Sequence, residues 1–185
     1  MVGNFKLYFC YWIFLFSLSA ISCNKQDTSS EIGEKIINKN INIFIDDLHW
    51  STFEKNKNFT IPIFISNHVT DNKLFLEECN CFYIFNSEGF NVDSKSTYVS
   101  FFINTVSLKV ENKNIKFVKE NTNIDLEKYV EISFNNFYIN KNQTKAFLIV
   151  EKIGHGIRSW TKEVYFFKKV DDNWKFYKKE LLLIG

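Results

Sequence analysis

An α+β fold is what this sequence predicts: an N-terminal helix packed on a mostly antiparallel β-sheet that finishes in a four-strand meander. Three observations predict it. Between Ser30 and about Trp50 the apolar residues recur at a helical period. About the last 55 residues break into four strand-like runs joined by short polar turns. The chain has 185 residues, 45% of them hydrophobic and 24% charged, enough for one domain with a real core and unlike a disordered chain.

The helix comes first. At 100° per residue Ile37, Ile41, Phe44, Ile45 and Leu48 fall in one sector about 100° wide, the stripe of a core-facing helix. Ile32, Ile36 and Ile43 lie on the other side, so this helix is expected to be covered on both faces. Thr28, followed three residues later by Glu31, has the spacing of a capping box.

Next is an extended run over residues 59–69, in which Ile61, Ile63 and Ile65 share a face and Pro62 demotes the run to a sheet edge. Thr70-Asp71-Asn72 is a helix start. Residues 74–85 read equally as helix or, in their second half, as a buried strand, because periodicity does not arbitrate over so short a length. Asn86 to Ser96 reads as a loop, and Tyr98 to Val110 and Ile115 to Val118 as strands. The four closing runs are Tyr129 to Ile139, Thr144 to Ile153, Trp160 to Val170 and Trp174 to Ile184. Their separators (Asn140 to Gln143, Gly154-His155-Gly156 and Asp171 to Asn173) are too short for anything but antiparallel neighbours. Val164 and Phe166 point one way and Tyr165 and Phe167 the other, so both faces of this sheet need cover, and the helix supplies one.

Composition excludes little else, but it excludes it clearly. The formal charge is +2, with no basic block and hence no electrostatic footprint for nucleic acid. Arg158 is the sole arginine and Pro62 the sole proline, while Asn, Ile and Phe abound, the residues of A/T-rich codons. That bias accounts for much of the 18% aromatic content, so aromatic stripes are read as core before binding surface.

The first 22 residues read as an export signal. Lys6 is followed by an uncharged apolar run of 12 residues, Leu7 to Leu18. That is the length of a signal-peptide core and short of the roughly 20 residues a spanning helix needs. Ser19-Ala20-Ile21-Ser22-Cys23 then resembles a lipobox, with a small residue before the obligatory cysteine. The resemblance implies acylation of the Cys23 thiolate by a diacylglyceryl group and cleavage before it, leaving 163 of the 185 residues. Two or more chains such as palmitate, at about 0.8 kcal/mol per buried methylene, anchor stably where one chain is marginal. Residues 23–30 read as a polar tether holding the domain, residues 31–185, off the bilayer.

Phe137 to Phe176 resembles the tail of uncharacterised lipoproteins of flavobacteria and other Bacteroidota. The features that carry this are Ala146 in a strand, Gly154-His155-Gly156 in a loop, Tyr165 in a Tyr-rich strand, and the hairpin Lys168-Lys169-Val170-Asp171-Asp172-Asn173-Trp174-Lys175. The resemblance spans about a quarter of the mature chain and implies a cell-membrane or outer-membrane location and a fold; it implies no catalytic residue. The closing hairpin is also similar, more weakly, to that of nuclear transport factor 2-like domains, which carry more helices ahead of the sheet.

Gly154-His155-Gly156-Ile157-Arg158 is the leading candidate site. Two glycines allow close approach of a ligand, His155 titrates near neutrality, and Arg158 is a fixed bidentate donor for carboxylate or phosphate. The competing reading is a plain solvent-exposed connection. Cys79-Asn80-Cys81 is read as two buried free thiols, because residues two apart in a strand are about 6.6 Å apart and in a helix diverge by about 160°. His49 and His68 show no metal spacing relative to these cysteines, so no metal and no cofactor is expected. Asp46-Asp47 with His49 do not converge on a helix, and Glu77-Glu78 read as a solvated face. The sequence therefore points to a membrane-anchored lipoprotein acting as a non-catalytic binding or structural module, with a protein or small anionic ligand as partner besides the bilayer. Two alternatives stand beside it: a hydrolase-like enzyme using His155 and Arg158, and an immunity-type lipoprotein that binds a toxin.

Overall fold

The structure, a computed structural model, describes residues 27–46, 63–79, 81–104, 106, 108–109, 115–118, 130–154 and 160–184. The elements are α1 (Ser29–Asp46), β1 (Ile63–Thr70), α2 (Lys73–Cys79), α3 (Phe82–Ser87), β2 (Phe101–Phe102), β3 (Ile115–Val118), β4 (Val130–Ile139), β5 (Lys145–Ile153), β6 (Trp160–Val170) and β7 (Asn173–Ile184). The strands form one mixed, mostly antiparallel sheet in the order β2-β1-β4-β5-β6-β7, with β3 also paired to β1. From β4 to β7 each strand runs antiparallel to the next, while β1 lies parallel to both β3 and β4.

α1 starts at a reciprocal cap. The Thr28 N–H donates to Glu31 Oε2 at 2.7 Å, and the Glu31 N–H donates to Thr28 Oγ1 at 3.3 Å, which satisfies two of the orphan donors of the first turn. Ser29 and Ser30, counted with the tether in the sequence, are the first two helical residues. Both predicted stripes of α1 are used. Ile37, Ile41, Phe44 and Ile45 are buried, and so are Ile32 and Ile36, all in one cluster with Ile65, Phe134, Leu148, Val150, Tyr165 and Phe167 of the sheet. Phe44 packs edge-on to Phe134 and Tyr165 at 5.5 and 4.9 Å. Leu48 lies outside the described residues.

The other sheet face is covered by α2, α3 and the chain after them. Phe75, Leu76, Ile84, Phe85, Phe90 and Tyr98 form a second cluster with Phe147, Ile149, Val164 and Phe166. Phe85 stacks on Phe147 at 4.4 Å. A strand with apolar residues at every position, such as Ala146 to Val150, is thus buried on both sides.

Two sequence expectations need correction, and one alternative left open by the sequence is resolved. Residues 59–69 were assigned to an edge, but β1 has β4 on one side and β2 and β3 on the other. Among the described residues the pairing runs from Ile63, opposite Ile115 on one side and Val130 on the other; Pro62 lies outside the described residues. Among the described residues of the stretch Tyr98 to Val110, strand pairing is confined to the short β2 and a bridge from Val99 to Phe137. Residues 73–87 are two short helices with a break at Cys81, not a strand, and Asn72 Oδ1 caps α2 by accepting the Phe75 N–H at 3.3 Å.

Turn chemistry sets the hairpins. The β6–β7 connection is Asp171-Asp172, both with positive φ (49° and 59°), the signature of a two-residue type I′ turn. In the β4–β5 connection Asn140 Oδ1 accepts the N–H groups of Thr144 and Lys145 at 2.9 and 3.0 Å, and Gln143 takes the left-handed conformation.

Candidate functional site

The last described pair of the β5–β6 hairpin is Ile153–Trp160. Gly154, the next residue, is buried. His155, Gly156 and Arg158 lie outside the described residues, as do Cys23, Asp47 and His49. What the structure describes is the adjoining end of β5 and β6, and it carries charge inward on both faces.

On the α1 face, strand alternation puts Lys152 in line with Leu148 and Val150, and Glu163 in line with Tyr165 and Phe167. Lys152 is only 2% exposed. Its Nζ donates to Glu163 Oε2 and to the Tyr165 hydroxyl, each at 2.7 Å, and that hydroxyl donates onward to Glu163 Oε2 at 2.9 Å. Lys179 on β7, in register with Tyr165, reaches Glu163 Oε1 at 3.1 Å. Burying an ammonium costs several kcal/mol, and a carboxylate at this distance with every oxygen occupied is what offsets it. Glu163 is the hub: two lysines and a tyrosine meet on one carboxylate.

On the opposite face Lys162 stands across from Glu151, Nζ to Oε1 3.5 Å, with its ammonium 4.1 Å from the centre of the Phe75 ring and 5.6 Å from that of Trp160. Desolvation at an ammonium–aromatic contact of this kind strengthens the attraction. Glu131 lies close by at the start of β4. Burial pushes its carboxyl above the usual carboxylate range, and the negative charge of Glu151 adds to the push. It is the one carboxyl here held towards its protonated form.

A third polar cluster lies between the α3 end and β7. Glu88 accepts from Lys178 and from the Tyr177 hydroxyl at 3.1 Å, and Lys178 also reaches Glu180 at 2.6 Å. The Lys178 hydrogen bond holds the Glu88 carboxyl below its ordinary range, and burial together with the Glu88 bond pushes the Tyr177 hydroxyl up to about 12.

Cys79 and Cys81 are joined as a disulfide, which overturns the expectation of free thiols. That expectation assumed a strand or a continuous helix across the pair. α2 ends at Cys79 and Cys81 precedes α3, so the pair does not lie within one regular helix, whose side chains would diverge, and the two Cα atoms stand 5.2 Å apart, inside the span a bridge tolerates. Glu77 is exposed, as expected of a solvated face. His68 binds Ser100 Oγ at 3.0 Å and stacks on Phe102 at 4.4 Å. Among the described residues no group of three or more His, Cys, Asp or Glu side chains is placed to hold a metal ion. No helix among them is long and apolar enough to cross a membrane.

Sequence reading passed over Lys152, Glu163, Tyr165 and Lys179 as a group. A signal was present: Lys152 and Glu163 occupy inward positions of otherwise apolar stripes, where a lone charge needs a partner. What the sequence lacked was the register that makes them partners. Comparison with known proteins adds no relative: no family model, no curated protein and no solved structure matches this chain.

Proposed function

We propose that the mature chain is a lipid-anchored envelope protein, held in the cell membrane or outer membrane by acylated Cys23, whose domain acts as a non-catalytic binding or structural module. In this reading the N-terminal helix on the sheet and the C-terminal four-strand meander form a rigid scaffold, and the connection at 154–158 is its binding edge. The observation that carries it is the apolar run of Leu7 to Leu18 leading into Ser19-Ala20-Ile21-Ser22-Cys23. The Cys79–Cys81 disulfide supports the same compartment, because such bonds persist where the surroundings are oxidising.

Intact-mass analysis of the native protein tests it. Expected is a chain starting at Cys23 and carrying two or three acyl chains. An unacylated chain starting at residue 1 or 24 refutes it.

The partner at the loop is a protein or a small anionic ligand. A hydrolase-like reading, in which His155 and Arg158 act on an anionic substrate, draws support from the charged residues Lys152 and Glu163 on the two strands that this connection joins. Its test is activity toward phosphate and carboxylate esters, lost in His155→Ala and retained in Lys141→Ala.

A further inference from the structure

The Cys79–Cys81 bridge is poorly placed to act as a staple. Its cysteines are two positions apart, so the loop it closes is among the shortest a disulfide can make. Closing so short a loop takes little entropy from the unfolded chain, and the stability gained from that source is correspondingly small.

Nor does the bridge set the break between α2 and α3. In one unbroken helix over residues 73–87, at 100° per residue and with Phe75 and Leu76 inward, Tyr83 and Asn86 would also face inward. Ile84 and Phe85 would then point about 130° away from the middle of that stripe. The fold does the reverse: Ile84 and Phe85 are buried, while Tyr83 is 70% exposed and Asn86 faces solvent. The break is therefore the condition for stacking Phe85 on Phe147, and burial of two large apolar side chains favours it without help from the sulfurs. The far end of α3 is tied down as well, since Asn86 accepts the Val92 N–H at 2.9 Å and donates to the Val92 carbonyl at 3.3 Å.

The two sulfurs also differ in access. Cys79, at the end of α2, is partly exposed, whereas Cys81 is 3% exposed within the cluster formed by Phe75, Leu76 and Phe85. Accessible bridges are the labile ones, and which sulfur is attacked depends on that access.

We infer that Cys79–Cys81 is a thiol-exchange site, held ready by the packing of α2 and α3, that passes its disulfide to a dithiol through attack at Cys79. A thiolate of the dithiol attacks Cys79 Sγ, the bond to Cys81 breaks, and Cys81 leaves as a thiolate that takes up a proton. The second thiolate of the dithiol then attacks its own sulfur in the mixed disulfide and releases Cys79, which is protonated in turn. The dithiol is oxidised and the pair reduced, by two electrons and two protons. A second disulfide, such as oxidised glutathione, restores the bridge by the same steps in reverse. The exchange is stoichiometric, adds to the binding or structural role proposed above, and does not depend on acylation of Cys23.

The full chain carrying Cys10→Ser and Cys23→Ser, in detergent micelles, keeps this pair as its only cysteines. The probes are reduced glutathione and a synthetic dithiol peptide, and free thiols are counted by mass after maleimide trapping. Expected is reduction of the bridge by glutathione in native protein, with near-ultraviolet circular dichroism retained, and transfer of the disulfide to the peptide. In the same background Cys81→Ser, which frees Cys79, should react with Ellman's reagent at least about tenfold faster than Cys79→Ser, a difference that urea abolishes. A bridge that opens only in urea, a reduced chain that loses its near-ultraviolet signal, or a peptide left unoxidised overturns the exchange site. Equal reactivity of the two folded variants overturns Cys79 as the attacked sulfur. Should either variant fail to fold, glutathione reduction of the parent still decides whether the bridge exchanges.

Discussion

Replacing Glu163 with glutamine tests whether the buried cluster at the end of the sheet is held together by its charge. The side chain keeps its shape and one acceptor oxygen, but Lys152, 2% exposed, loses the carboxylate 2.7 Å from its ammonium, and Lys179 loses its own partner at 3.1 Å. Breaking one side of a buried ion pair costs about 3–5 kcal/mol, because the remaining charge stays desolvated. The lower end applies here, since Tyr165 still accepts from Lys152. A loss of about 3 kcal/mol in a domain of this size lowers Tm by about 6–12 °C. Lys152→Met removes the buried ammonium itself and leaves Glu163 with Lys179 and Tyr165, so its cost is smaller, about 1–2 kcal/mol. The double variant no longer holds the buried Lys152 ammonium, while Lys179 is partly exposed, and the cycle should show a coupling of about 1–2 kcal/mol, the pair costing less than the sum of the singles. Thermal and urea melts of all four proteins measure it. Strict additivity, or a Glu163→Gln protein as stable as the parent, refutes the idea that this carboxylate neutralises Lys152.

Other outcomes follow from the same reasoning. Glu131 has a folded pKa raised by burial, so the folded state binds more protons than the unfolded chain above the ordinary carboxyl value, and stability falls as pH rises through that window. Glu131→Gln should therefore melt higher than the parent at neutral pH and level with it below the ordinary carboxyl range; equal melting at both ends of a pH series counts against the shift. Gly33→Ala gains about 1 kcal/mol of helix propensity but drives its Cβ into the Phe101 ring, and overpacking of about 1–3 kcal/mol outweighs the gain. The single variant should melt lower, and in a Phe101→Leu background the same substitution should raise Tm. Asp172→Gly relieves a left-handed aspartate in the β6–β7 turn at the cost of an exposed ion pair with Lys169, for a net gain of about 0.5–1 kcal/mol in urea melts. A loss there shows that Asp172 does more than turn the chain.

The candidate site was legible only in part. Gly154, His155, Gly156 and Arg158 stand out because glycines and the sole arginine of the chain sit between two strongly patterned strands. The charged cluster on the adjoining strands did not stand out, because Lys152, Glu163 and Lys179 come from three strands and meet only through the β5–β6 and β6–β7 registers. The free-thiol reading of Cys79 and Cys81 failed for a related reason. It judged the pair from regular helix or strand geometry, and the break between α2 and α3 is neither.

Local patterns settled a good deal without help. The two-sided burial of α1 follows from isoleucines spread around the wheel, its start from the Thr28–Glu31 spacing, and the positions of β4 to β7 from apolar runs punctuated by Asn, Gly and Asp. Each of these is decided by neighbours a few residues away, and one turn of helix or one hairpin is enough to express it. The placement of β1, parallel to β4 and β3 and antiparallel to β2, and the choice of α2 and α3 as the second cover, were decided by the tertiary structure alone. Contacts between segments that far apart in the chain leave no period to read, because what selects them is how well whole faces bury against one another.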